Sequence, residues 1–139
     1  MYWKIFQILW ILEGAQFRLT NDGEIRMDKK ALIKKMKEYM DFKEKEVEEK
    51  KIDVRNMTFT NLRDCLIGLG TILDEDFDLL SYIVSVPAGV ANLNNAIVAI
   101  QLKHNVLYMF GYAPEGLINQ HTAKKAMDKV EKRISKYIV

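Results

Sequence analysis

The sequence holds one cysteine, two histidines, two prolines and seven glycines in 139 residues. A lone thiol excludes an intramolecular disulfide, and a chain of this length buries a core without one. Zinc sites take three or four ligands, normally supplied in CxxC- or HxxxH-type pairs. No such pair exists, so no metal-ligating residue is assigned. GxxxxGK and GxGxxG phosphate loops are absent, because Gly68-Leu69-Gly70 stands alone inside a segment of helical periodicity. GxSxG and HExxH are absent as well. No carboxylate sits isolated in an apolar run, the sequence trace of an acid with a raised pKa. Catalytic residues and a cofactor are therefore not expected, and the protein is expected to be no enzyme.

Charge of one sign is also scarce, with a formal net of +2. This removes a bulk electrostatic case for nucleic acid or membrane. The near-neutrality is nevertheless a cancellation. Residues 1–63 carry a local net of +3, residues 64–123 a net of −5 with Lys103 as their only base, and residues 124–139 a net of +4. With 49% hydrophobic and 29% charged residues, the composition is that of a globular chain. Residues 1–139 are expected to form a single globular domain, without internal repeat or low-complexity linker, in the cytoplasm.

The apolar run at residues 2–12 (YWKIFQILWIL) falls far short of the roughly 20 residues needed to span a membrane. Glu13 interrupts where a signal-peptide cleavage site would stand, so no membrane association is expected. As a helix this segment is apolar almost all round, which asks for burial on more than one side. Both tryptophans and five of the 14 aromatics lie in the first 17 residues. Trp and Tyr dominate interface hot spots because each buries a large area at small entropic cost. Tyr2, Trp3, Phe6 and Trp10 are therefore the candidate protein interface, for a partner protein or for self-association.

Phe17 and Leu19, then Ile25 and Met27, alternate with polar residues around Asn21-Asp22-Gly23, which predicts a small hairpin. Asp28 is placed to cap a helix running to about Lys51, with Leu32, Ile33, Met36, Tyr39, Met40 and Val47 on one face. Leu62, Cys65, Leu66, Leu69, Ile72 and Leu73 recur at helical spacing, and a second helix is expected from Asp74 to before Pro87. Residues 91–110 fit two periods. The two-residue period makes Lys103-His104-Asn105 a hairpin turn and uses the β-branched residues better, so it is preferred. A final helix carries Ala123, Ala126, Met127, Val130, Ile134 and Tyr137 on its apolar face. The expected class is thus α+β, mainly helical, with four to five helices and one or two small antiparallel hairpins. The alternative is an all-α bundle with residues 91–110 helical.

Three further features bear on function. Cys65, in the middle of an apolar face, behaves as a small core hydrophobe with a raised pKa. Asp74, Asp76 and Asp78 match positions 1, 3 and 5 of a calcium loop, but Leu79 and Ser85 stand where Gly and Glu are required. They read as helix-start acids favoured by the dipole. On the last helix, Lys125, Lys129, Lys132 and Lys136 fall within about 60° of one another at 100° per residue, a ridge suited to tracking phosphates. The nine residues Asn119-Gln120-His121-Thr122-Ala123-Lys124-Lys125-Ala126-Met127 resemble the recognition helix of GntR-type winged helix-turn-helix regulators, departing from them where Gly111 to Gly116 break the preceding helix. The resemblance implies DNA binding through this helix. The expected function is a small protein-binding module (inhibitor, immunity-type, adaptor or assembly subunit). The alternative is a small nucleic-acid-associated protein or regulator.

Overall fold

The computed structural model describes residues 28–138. The helix expected for residues 2–12, with Tyr2, Trp3, Phe6 and Trp10, and the hairpin expected around residues 17–27 fall outside these residues. The chain divides into two compact units, Met1–Leu32 and Ile33–Val139; the boundary falls within the first described helix, and every later element belongs to the second unit. Residues 28–36 are helical (α1). There follow β1 (Glu48–Asp53), α2 (Phe59–Leu66), β2 (Thr71–Asp76), β3 (Ser81–Ala88), β4 (Asn94–Lys103), β5 (Val106–Tyr112) and α3 (Thr122–Ile138). The strands form one antiparallel sheet in the order β1-β5-β4-β3-β2. The described residues hold three helices and about as much strand as helix. This overturns both the mainly helical class with four to five helices and the all-α bundle. No helix among the described residues is long and apolar enough to cross a membrane.

Local chemistry explains each correction. The helix expected to run on to Lys51 ends at residue 36, and its charged tail is instead β1, paired with β5 from Glu48↔Gly111 to Asp53↔Val106. Tertiary pairing overrides the weak strand propensity of Glu and Lys here. The helix at Leu62 stops at Leu66, and Gly68 turns the chain with a φ of +87°. Gly70 then packs so closely on β3 that a Cβ there would stand 2.2 Å from the Ser85 carbonyl oxygen. The helix expected from Asp74 is the end of β2, a turn and β3. Asp76 makes the turn, its Oδ1 accepting from the N–H groups of Asp78 and Leu79 at 2.9 and 3.0 Å. The acids of this segment are turn and strand residues rather than a helix start.

The hairpin preferred for residues 91–110 is present as β4 and β5. His104 and Asn105 both take positive φ, 52° and 64°, between the paired Lys103 and Val106. That is the twist-matched two-residue turn of tight hairpins.

The sheet is buried on both faces. Tyr82, Val84, Val98, Ile100, Leu107 and Met109 line the first face, under Leu62 and Leu66 of α2 and Ala126, Met127, Val130 and Ile134 of α3. On the second face Ile83, Ile97, Ala99 and Phe110 are also buried. There Lys35 pairs with Asp74 and Asp76 at 3.0 Å each, Tyr39 donates to the Leu73 carbonyl, and Phe42 stacks on Tyr112. Strands buried on two faces read as continuous apolar runs without alternation.

α3 runs back along β5 and begins at the end of the sheet where β3 hands over to β4. Two connections meet at that end: residues 89–93 between β3 and β4, and residues 113–121 between β5 and α3.

Candidate functional site

These two connections are tied to each other and to the body of the fold. The Glu115 carboxylate accepts from the Thr122 N–H at 2.7 Å and the Gln120 N–H at 3.2 Å, supplying acceptors to donors that the helix start leaves unpaired. Gln120 Oε1 accepts from the Val90 N–H at 3.2 Å. Asn94 Nδ2 donates to the Pro114 carbonyl at 2.7 Å. Lys129, about two turns into α3, donates from Nζ to the Pro87 carbonyl at 2.7 Å and to Asn92 Oδ1.

The electrostatics follow this wiring. Partial burial opposes the charge on Glu115, but the hydrogen bonds from Thr122 and Gln120 outweigh it and hold the carboxyl below its ordinary range. The backbone is strained in the same place. Gly89 has a φ of +75°, and Ala91, Asn92 and His121 have φ of 54°, 57° and 53°. For a residue such as Ala91 the left-handed region costs about 1 kcal/mol. The hydrogen bonds of Val90 and Asn92 offset this, since each is worth a comparable amount. Such strain persists only where the surroundings over-determine it.

This braced frame carries aliphatic side chains into water. Val90, Leu93 and Ile118 are 61%, 87% and 77% exposed, and Leu117 is fully exposed. Between the two connections lies an open groove of about 620 Å³, lined by Val90, Leu93, Asn94, Pro114, Glu115 and Gln120. A smaller polar recess of about 290 Å³ on the other side of Glu115 is lined in part by Glu46, Glu48, Tyr112 and His121. Burial, then the carboxylates of Glu46, Asp41 and Glu115, push the Tyr112 phenol up. No cluster of three or more metal-ligating side chains exists among the described residues.

The residues singled out in the sequence lie elsewhere or act otherwise. Lys125, Lys132 and Lys136 are exposed on the outer side of α3, whereas Lys129 is half-buried and committed to the 87–92 loop. Asp128 and Glu131 each lie 2.7 Å from Lys50 of β1. The helix-turn-helix resemblance fails on geometry, because strand β5 and a non-helical connection precede α3 where the motif needs a helix. His104 occupies the hairpin turn and His121 the exposed start of α3. Cys65 is buried in the core, where desolvation pushes its thiol up and Arg133 partly opposes the shift.

Val90, Leu93, Leu117 and Ile118 were not expected from the sequence. The signal was present: aliphatic residues inside PAGVANLNN and APEGLINQ, segments of turn composition that follow neither a helical nor a strand period. No family model, no curated protein and no solved structure matches the chain.

Proposed function

We propose that this protein is a small binding module that grips another protein with the paired loops at residues 89–93 and 113–121. One observation carries the proposal: four aliphatic side chains stand exposed on loops locked by Glu115, Gln120, Asn94 and Lys129. Contiguous exposed apolar surface marks interaction sites. A frame ordered before binding spares the entropy that ordering a loose loop would take from affinity. Leu93 and Leu117, the two most exposed of the four, are assigned as the principal contacts.

The test is quantitative affinity purification from the native host with three baits. The expected result is a co-purifying protein retained by the wild type and by a Lys125→Glu/Lys132→Glu variant, and lost with Leu93→Asp/Leu117→Asp. Equal recovery by the wild type and the Leu93→Asp/Leu117→Asp variant would overturn the proposal, as would the absence of any specific protein. A second reading, nucleic-acid association through α3, is favoured by the three exposed lysines, Lys125, Lys132 and Lys136. It predicts salt-sensitive retention on heparin, lost in the Lys125→Glu/Lys132→Glu variant.

A further inference from the structure

We propose that the segment gripped by the paired loops carries an arginine beside its aliphatic residues, and that this arginine enters the recess on the far side of Glu115. The proposal rests on reading the loop end as a protein-binding site, and adds the chemistry of the partner.

The groove and the recess are one continuous surface. Pro114 and Glu115 line both, so a chain lying across Val90 and Leu93 meets the acidic wall as it leaves them. The groove supplies the apolar contact. The recess, at about 290 Å³, falls below the roughly 300–1,000 Å³ of small-molecule sites, so it accepts one side chain rather than a separate ligand.

Its lining fixes the sign of that side chain. Glu46, Glu48 and Glu115 bring three carboxylates, and His121 is the only base among the lining residues. Among the described residues none of the three acids is in a salt bridge. Glu46 Oε1 accepts from the Lys43 N–H at 2.9 Å, and Glu115 accepts from Thr122 and Gln120. These bonds hold the acceptors in place, and a carboxylate oxygen keeps a further lone pair for a second donor. The N–H groups of Gln120, His121 and Thr122 are bound to Glu115 and Asn119, so they do not repel a cation from the recess.

Arginine suits this lining better than lysine. Its guanidinium spreads five donors in one plane and is more weakly hydrated than an ammonium, so it reaches several carboxylates at once and stacks on aromatic rings. Tyr112 brings such a ring to the recess. A metal ion is a poorer occupant, because no three metal-ligating side chains converge among the described residues. The same three acids repel phosphate, and with it nucleic acid or an anionic membrane at this end.

The experiment is selection of phage-displayed random peptides on the full chain, followed by titration of the enriched peptides by fluorescence anisotropy. The enriched peptides are expected to carry an arginine beside aliphatic residues. Replacing that arginine with citrulline, which keeps its shape and loses its charge, should weaken binding about tenfold. Glu46→Gln/Glu48→Gln should do the same while keeping an acceptor for the Lys43 N–H, and Leu93→Asp/Leu117→Asp should abolish binding. Peptides that depend on Leu93 and Leu117 but show no preference for arginine, or that tolerate citrulline, overturn the proposal and leave the loop site standing. Binding indifferent to Leu93→Asp/Leu117→Asp, or no enrichment at all, overturns both. The citrulline arm uses the unaltered protein, so it stays decisive if a variant misfolds.

Discussion

The Glu115 carboxylate reaches forward seven residues to accept the Thr122 N–H at 2.7 Å, and so closes the 113–121 connection onto the first turn of α3. Lys124 and Lys125 stand in that first turn, where acids are usually favoured, and no acid is present there. Glu115 supplies from the loop the negative charge that the helix itself omits. Replacing it with Ala should cost about 1 kcal/mol, the scale of a lost helix cap, measured by urea unfolding at neutral pH.

The same group gives a pH dependence of known sign. Its carboxyl is held below the ordinary value, so its contribution is complete above that value and disappears as pH falls through the lowered one. The protection of the Gln120 and Thr122 amides against exchange, relative to their intrinsic rates at each pH, should fall on acidification before that of the sheet does. In Glu115→Gln this acid-dependent component should be absent.

Two glycines separate necessity from tolerance. A Cβ at Gly70 would lie 2.2 Å from the Ser85 carbonyl oxygen, while nothing lies within 4 Å of one at Gly116. Gly70→Ala must push β3 or the 67–70 turn aside and should destabilise by about 1–3 kcal/mol. Gly116→Ala should stay within about 0.5 kcal/mol of wild type. Thermal or chemical denaturation of the pair, compared directly, checks both.

Tyr82 is fully buried, stacks on Phe59 at 4.3 Å between ring centroids, and donates to the Phe59 carbonyl at 2.8 Å. Tyr82→Phe should cost about 1 kcal/mol, the net worth of one such bond. Desolvation, then the Glu75 carboxylate, pushes the phenol up to about 12 from 10.0. The folded state therefore favours the neutral phenol, and its contribution is complete below 10.0 and lost as pH rises through about 12. Over that interval the stability of wild type should fall more steeply than that of Tyr82→Phe.

Cys65 reports opening of the core. Its side chain is buried and its thiol is raised, so an aromatic disulfide reagent should modify it only at the rate of unfolding. Full labelling of native protein within the mixing time would contradict the packing of α2 on the first face.

The sequence made some of these features legible. Ala123, Ala126, Met127, Val130 and Ile134 were readable as the buried face of α3 because only one side of that helix is apolar. The hairpin turn was readable because His104 and Asn105 interrupt two runs rich in β-branched residues. The stretch from Leu69 to Val86 was misread as helix because Leu69, Ile72 and Leu73 continue the helical spacing of Leu62 to Leu66 and β3 is apolar without alternation, so helix and buried strand share one pattern. Leu62, Cys65 and Leu66 do form a helical face, but Gly68 ends it before Leu69, Ile72 and Leu73. At β1, Glu48 to Lys51 carry no strand propensity of their own, and β5 imposes the conformation. The loop end stayed hidden because its cross-ties, Val90 to Gln120 and Asn94 to Pro114, join residues 20 to 30 positions apart.

α3 is the last described element, yet it covers Val84, Ile100 and Met109 on the first face of the sheet. While the chain is being synthesised, α3 cannot cover those side chains until residues 122–138 clear the ribosome, and among the described residues α2 is then the other element on that face. A chain released at Gln120 would keep every strand and expose the whole apolar first face beyond the reach of α2. A chain cut before α3 is therefore expected to bind a dye for exposed apolar surface that the full chain excludes.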